Sequence, residues 1–250
     1  MPNALRKSGG EFHAPSAALV IFARLPRAGF AKTRLIPLLG AKGAAELQQA
    51  LLTDALAKLK TLRGEATLYL MKTGRAADGA DSLASAGKHV RILPQRGKDL
   101  GERLDRAFGF LLRRHQGAVV MGTDSPGLSA QILVQALEEL RWCESVLGPC
   151  PDGGYYLIGL RRGAGGIRRN GLLKNVRWGT HWALQDTLRN LLSCGVSCSL
   201  LPPLADVDRP EDFMALRNRM RENRGARRLA PAAWRFVSAF SIAAAKKAKR

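Results

Sequence analysis

The residues of this chain that could do chemistry are a few isolated carboxylates and one loop of cations. Asp124 lies in Gly122-Thr123-Asp124-Ser125-Pro126-Gly127, directly after the apolar run 118–121. Asp152 opens Asp152-Gly153-Gly154-Tyr155-Tyr156, just ahead of another apolar run, and Asp206 and Asp208 flank Val207 shortly before Pro210. Between positions 24 and 34, Arg24, Arg27, Lys32 and Arg34 share a segment with Pro26 and Gly29. Mg²⁺ takes one or two carboxylates beside substrate phosphates, and hard cations recruit their oxygens from more than one loop. Lys offers a phosphate a point charge and Arg a planar fork. The set suits a divalent metal held beside a nucleotide diphosphate, with Asp124 at its centre. Each member also has a plainer reading. Asp124 would cap its own turn, Asp152 would enter a hairpin, Asp206 and Asp208 would cap a helix, and the cations would form a basic surface loop.

Strand ends must bring these loops together for the first reading to hold. Ala17 to Phe22 and Ala118 to Met121 are short, continuous apolar runs bounded by turn residues, the pattern of strands buried on both faces. Further strands are expected over 66–71, 90–94, 145–149, 155–160 and 196–201. Helical spacing marks a long helix from about Ala41 to Leu62, read as core packing, and another after Arg103. More helices are expected over Ser129 to Arg141, from an N-cap at Thr180, and from Pro210. The alternation of strand, turn and helix predicts an α/β fold, a mostly parallel sheet with helices on both faces. Ligands of such sheets bind at the carboxyl ends of the strands. Gln95, Arg96 and Arg103 follow the third strand at that edge, and Gly29 permits a tight turn in the cationic loop. That loop is not a Walker motif, because the Gly-Lys-Ser/Thr order is missing.

The 250 residues include 40 Lys and Arg against 20 Asp and Glu, a formal charge of +20. Such a charge fits an anionic ligand, whether nucleic acid, an acidic membrane surface or a small anion. Aromatic and basic residues do not alternate as on an RNA-reading sheet, so nucleic acid is not the expected partner, although a non-enzymatic binder stands as a rival reading. The basic tail from Ala243 to Arg250 reads as a solvated terminus, with peripheral contact to acidic lipid as its alternative. No apolar stretch is long enough to span a bilayer, and residues 1–16 lack an apolar signal core. The four cysteines lack Cys-x-x-Cys spacing and read as reduced thiols in a cytoplasmic protein. The expected organisation is a flexible leader over 1–16, one domain over 17–222 and a basic C-terminal extension over 223–250.

Five segments in order resemble a known family. They are Phe22 to Leu35, Leu100-Gly101-Glu102-Arg103, Gly122 to Pro126, Gly148 to Leu160, and Asp206 to Asp212. The first four are similar to the motifs of the bacterial radical-SAM/selenodomain-associated transferases, described as glycosyltransferase-like within the nucleotide-diphospho-sugar transferase superfamily. The resemblance implies a single-domain GT-A, Rossmann-like fold and a cofactor of Mg²⁺ or Mn²⁺. It implies catalytic roles for Asp124 and Asp152, and nucleotide or phosphate contacts from Arg24, Gly29, Lys32, Arg34, Gln95 and Arg103. Gly153, Gly154 and Tyr155 would line the sugar or acceptor pocket, and Asp124, Asp206 and Asp208 would hold the metal. The last segment is also similar to the metal-binding stretch of sugar nucleotidyltransferases such as CMP-KDO synthetase. Lys32-Thr33-Arg34-Leu35 is similar to the opening of phospholactate guanylyltransferase. Both glycosyl transfer and nucleotidyl transfer onto a phosphorylated acceptor are therefore implied. The chain departs from the family at Arg24, where Lys is expected. It departs again at Cys150 and Pro151, which stand in place of a small residue and an acidic one.

Overall fold

The structure, a computed structural model, describes residues 17–74, 80–165 and 171–240. The leader expected over 1–16 and the basic tail from Ala243 lie outside the described residues. Seven strands form one sheet: β1 (Ala17–Arg24), β2 (Thr67–Thr73), β3 (Val90–Pro94), β4 (Gly117–Met121), β5 (Ser145–Pro149), β6 (Tyr155–Arg161) and β7 (Cys198–Leu200), in the order β3-β2-β1-β4-β6-β5-β7. Among these strands β6 alone runs antiparallel to its neighbours, because the tight turn 150–154 returns it directly against β5. The mostly parallel sheet inferred from the strand–turn–helix alternation is thus observed. The loops after β1, β3, β4 and β7 open at the edge where the β5–β6 turn also lies.

Helices cover both faces, which explains why β1 and β4 are apolar throughout. Leu19 and Ile21 of β1 point into the layer formed with α1 (Ile36–Thr61) and α4 (Ala130–Trp142). Ala18 and Val20 face α3 (Leu100–Leu111) and α5 (Ala183–Ser193) on the other side. Two helices that leave site loops carry N-caps: Asp99 accepts from Glu102 N at 2.8 Å, and Ser129 accepts from Ile132 N at 3.3 Å. α2 (Ala80–Ala86) links β2 to β3. Among the boundaries that move from their expected places are those of α1 and β7. α1 starts at Ile36 and kinks at Gly40, whose φ of +71° departs from helical geometry. β7 shrinks to three residues, and Val196 instead packs beneath α5.

The stretch expected as a basic extension carries α7 (Arg224–Leu229) and α8 (Pro231–Ala239). With α6 (Pro210–Glu222) they bury Phe213, Leu216, Ala233 and Val237 against Leu47 and Leu51 of α1. Two charged residues on the inner side of α1 connect this cluster to the site edge. Asp54 accepts hydrogen bonds from Ala232 N and Ala233 N, at 2.9 and 2.8 Å, and so caps α8 from outside. One turn on, Lys58 Nζ donates to Pro126 O at 2.9 Å, in the loop that carries Asp124. Burial pushes the Lys58 ammonium down to about 8, opposed by the Asp54 carboxylate.

Asp54→Ala should therefore lower stability by about 1–3 kcal/mol, since two helix-start N–H groups lose their buried acceptor. Urea denaturation measures this, and a midpoint equal to that of the parent chain would show that α8 is capped in some other way.

Candidate functional site

The loop after β1 is held open by backbone geometry. Gly29 has φ +80°, and Lys32 adopts the left-handed region at φ +49°, unusual for a residue with a side chain. Arg24 donates to Phe30 O at 3.0 Å, and the Arg27 guanidinium lies 3.9 Å from the centre of the Phe30 ring. The strained turn at Lys32 carries its side chain inward, where it is buried. Its ammonium meets Asp124 Oδ1 at 2.8 Å and donates to Val207 O at 2.7 Å. Val207 N in turn donates to Asp124 O at 2.9 Å. Thr123 Oγ1 donates to Asp124 Oδ1, and Gln48 Nε2 from α1 donates to both Thr123 Oγ1 and Arg24 O. Three site loops and one helix are thereby tied at a single carboxylate.

Two cavities meet at Asp124. The cationic one, of about 460 Å³, is bordered by Arg24, Lys32, Arg34, Gln95 and Arg103, with Asp208 at its rim. Gln95 Nε2 is spent on the sheet end, donating to Met71 O and Ala23 O, and Arg103 Nε donates to Gly97 O. Arg34 forms an ion pair with Asp208. The acidic cavity, of about 260 Å³, is bordered by Asp124, Ser125, Cys150, Asp152 and Asp206, with Phe22 and Leu100 as apolar wall. The expected metal carboxylates are thus divided. Asp124 and Asp206 share the acidic cavity, whereas Asp208 sits across in the cationic one, paired with Arg34.

The acidic cavity brings in one residue that carried no site role in the sequence reading. Donor atoms of Cys150, Asp152 and Asp206 all lie within 4.8 Å of one another, a grouping able to hold a metal ion. Burial, with the charges of Asp152, Asp124 and Asp212 behind it, pushes the Asp206 carboxyl up to about 6. Burial and the nearby Asp206 and Asp152 charges push the Cys150 thiol up to about 12. Such like-charge crowding is what a bound cation relieves. The departure of Cys150 from the family pattern was the available signal for it. Gln48 was readable too, as a polar residue interrupting the apolar stripe of α1.

The Gly153 and Tyr155 positions are occupied by the chain itself. A Cβ at Gly153, where φ is +86°, would stand 2.1 Å from His181 O, and Leu184 N donates to Gly153 O at 2.9 Å. The backbone at Gly153 thus lies directly against the entry to α5. Asp152 Oδ1 accepts from Gly154 N at 2.9 Å, closing an Asx turn that leaves its second oxygen free of that bond. Tyr155 stacks edge-on against Trp178, with its hydroxyl toward Thr187, while its ring borders the acidic cavity. α5 begins at Ala183, later than expected, and Thr180 Oγ1 accepts from Trp182 N one turn ahead of it.

The raised Asp206 carboxyl predicts a pH dependence. The folded state holds this proton up to about pH 6 while the unfolded chain releases it near 4, so stability falls as pH rises between those values. Asp206→Asn should remove that slope and raise the metal-free stability at pH 7 by about 1–2 kcal/mol, after allowance for its partial exposure. Thermal unfolding in chelator, compared at pH 4.5 and 7, measures it. Equal slopes in the two proteins would show that Asp206 is not the crowded group.

Among curated proteins, none matches the chain in sequence. Among solved structures, a Desulfovibrio desulfuricans G20 protein provisionally named a nucleotide-diphospho-sugar transferase is similar at 28% identity and a TM-score of 0.79, covering 90% of this chain and 94% of that one. A 4-diphosphocytidyl-2C-methyl-D-erythritol synthase from Anaerococcus prevotii DSM 20548 shares the fold at 11% identity and a TM-score of 0.55, over 80% of this chain and 94% of that one. A CMP:2-keto-3-deoxy-manno-octonic acid synthetase, solved with CTP, does so at 12% identity and a TM-score of 0.52, over 83% and 99%. The fold is that of the nucleotide-diphospho-sugar transferases. A family model matches residues 56–180, half of the chain, a span that holds Gln95, Arg103, Asp124 and Asp152: the protein belongs to the bacterial family described as "Uncharacterized protein conserved in bacteria (DUF2064)".

Proposed function

We propose that this protein is a metal-dependent transferase acting on a nucleotide, and that its reaction is glycosyl transfer from a nucleotide-diphospho-sugar. One observation carries the reading: a cavity lined by cations and a cavity lined by carboxylates meet at Asp124 on the carboxyl edge of the sheet. The likeness to the Desulfovibrio protein and the motif resemblance to radical-SAM/selenodomain-associated transferases support it. The free thiols of Cys143, Cys150 and Cys198 suit a cytoplasmic setting, and among the described residues no helix is long and apolar enough to cross a membrane.

In this reading Arg24, Lys32, Arg34 and Arg103 receive the phosphates, and Gln95 fixes the end of the sheet beside the nucleotide. Gly29 keeps the loop in the turn that presents these cations. Asp124, Asp206 and Asp208 would hold Mg²⁺ or Mn²⁺, Asp208 being paired with Arg34 in the free protein. A bound divalent cation supplies charge stabilisation to the departing diphosphate. The bond from the sugar anomeric carbon to the diphosphate oxygen breaks, and the acceptor oxygen bonds to that carbon. Asp152 takes the acceptor proton on its free oxygen. Gly153, Gly154 and Tyr155 shape the acceptor side through the turn they build.

A second reading is nucleotidyl transfer, in which a phosphorylated acceptor attacks the α-phosphorus of a nucleoside triphosphate and pyrophosphate leaves. Four cationic side chains around one cavity favour it, since a triphosphate brings more charge than a diphosphate. Phosphorus NMR of reactions with nucleotide-sugars or triphosphates separates the two by the released species, nucleoside diphosphate or pyrophosphate. Asp124→Asn should lower kcat/KM by about 100-fold or more, the scale of losing one electrostatic anchor of a transition state. Undiminished turnover in that variant, with its folding verified, would overturn both readings.

A further inference from the structure

The turn between β5 and β6 aims a sulfur into the acidic cavity and fixes it there. The register of β5 against β6 shifts between Gly148 and Pro149. Cys150 N then donates to Gly154 O at 2.9 Å, and Gly153 N donates to Cys150 O at 3.1 Å. The Cys150 side chain is buried by this turn. The segment carrying Asp206 is joined to the same place, because Leu204 N donates to Pro149 O at 3.1 Å. Sulfur and carboxylates are thus preorganised on two loops that hold one another.

A second observation points the same way. Ser125 is 7% exposed and borders the acidic cavity, and its buried Oγ makes no hydrogen bond of good geometry, the Cys150 thiol being the group it faces. A buried hydroxyl without a well-formed hydrogen bond is costly, and a thiolate would supply it a strong acceptor.

We propose that Cys150 is itself a metal ligand, and that with Asp206, beside Asp152, it selects a thiophilic divalent cation of the Zn²⁺ and Co²⁺ class in place of the Mg²⁺ or Mn²⁺ of the reading above. This rests on the metal-bearing reading of the site given above. Mg²⁺ requires near-octahedral oxygen donors, and a sulfur in the ligand shell spoils that set. Borderline-soft cations accept mixed sulfur, nitrogen and oxygen donors and displace the thiol proton on binding. The sulfur–metal bond forms, the S–H bond breaks, and the proton leaves to solvent. The Ser125 hydroxyl then donates to the new thiolate. Cys143, Cys194 and Cys198 lie outside this grouping, so the sulfur contribution belongs to one residue.

The test is Co²⁺ titration of the metal-free full-length chain, read by the thiolate-to-cobalt charge-transfer band in the near ultraviolet. The band should saturate at one Co²⁺ per chain. It should survive the triple variant Cys143→Ser/Cys194→Ser/Cys198→Ser and vanish in Cys150→Ser. One equivalent of Zn²⁺ should abolish it, while about a hundredfold excess of Mg²⁺ leaves it in place. Zn²⁺ affinity should fall by about 1,000-fold or more in Cys150→Ser, beyond the roughly 10–100-fold that loss of a supporting contact produces. A band that persists in Cys150→Ser would overturn the assignment. So would stoichiometric Co²⁺ binding that shows no such band yet is lost in Asp206→Asn, an outcome that leaves the metal-bearing reading standing. Failure of the wild-type chain to bind any divalent cation, with or without nucleotide, would overturn both.

Discussion

The site depends on a buried ammonium. Lys32 can reach Asp124 and the Val207 carbonyl only because its own backbone sits in the left-handed region, one turn after Gly29. A buried lysine without a counter-charge is strongly unfavourable, so Asp124, Val207 and the β1 loop must arrive together or not at all. The Val207 N–H returning to Asp124 O closes the arrangement. The consequence is geometric. The loops after β1, β4 and β7, distant in sequence, present their polar groups from one rigid junction rather than from three mobile tips, which is how a preorganised site is made.

Charge is distributed unevenly around that junction. On one side the cations outnumber their partners: Lys32 meets Asp124 and Arg34 meets Asp208, while the side chains of Arg24 and Arg103 donate to backbone carbonyls. On the other, Asp152 and Asp206 crowd a buried thiol without a cation between them. Both imbalances cost stability in the free protein, and both are corrected by an anion on one side and a cation on the other. Nucleotide phosphates with a divalent ion have this composition. The stabilising interactions lie elsewhere. The apolar layers on the two sheet faces, and the cluster that α6 and α8 build on α1, carry the burial. Asp54 and Lys58 transmit that packing to the Asp124 loop through Pro126.

Much of this was legible in the sequence, and the unread part has identifiable causes. β1 and β4 were readable because strands covered on both faces are apolar without alternation, and the loops that follow them mix Gly, Pro and charge. Asp206 and Asp208 read as one pair, since residues two apart in extended chain share a face. They part because the backbone turns into α6 at that point, with Asp208 N and Arg209 N both donating to Asp212 Oδ2. Asp54 and Lys58 were hidden by the leucines of α1, since a periodicity count registers the stripe and passes over polar residues inside it. At Gly153 the backbone lies against His181 O, a contact between residues 28 positions apart that local pattern does not encode. The helices over 224–239 were masked by their arginines, whose charge obscured Ala233 and Val237 beneath.

The most direct measurement is the thermal stability of the full chain with a panel of nucleoside triphosphates and nucleotide-sugars, each with and without Mg²⁺, Mn²⁺ or Zn²⁺. Joint binding at one edge predicts that at least one nucleotide raises Tm by about 5–10 °C at a hundredfold excess over its Kd, and does so only with a divalent cation present. A shift of the same size in chelator, or none with any pairing of nucleotide and cation, would contradict the account.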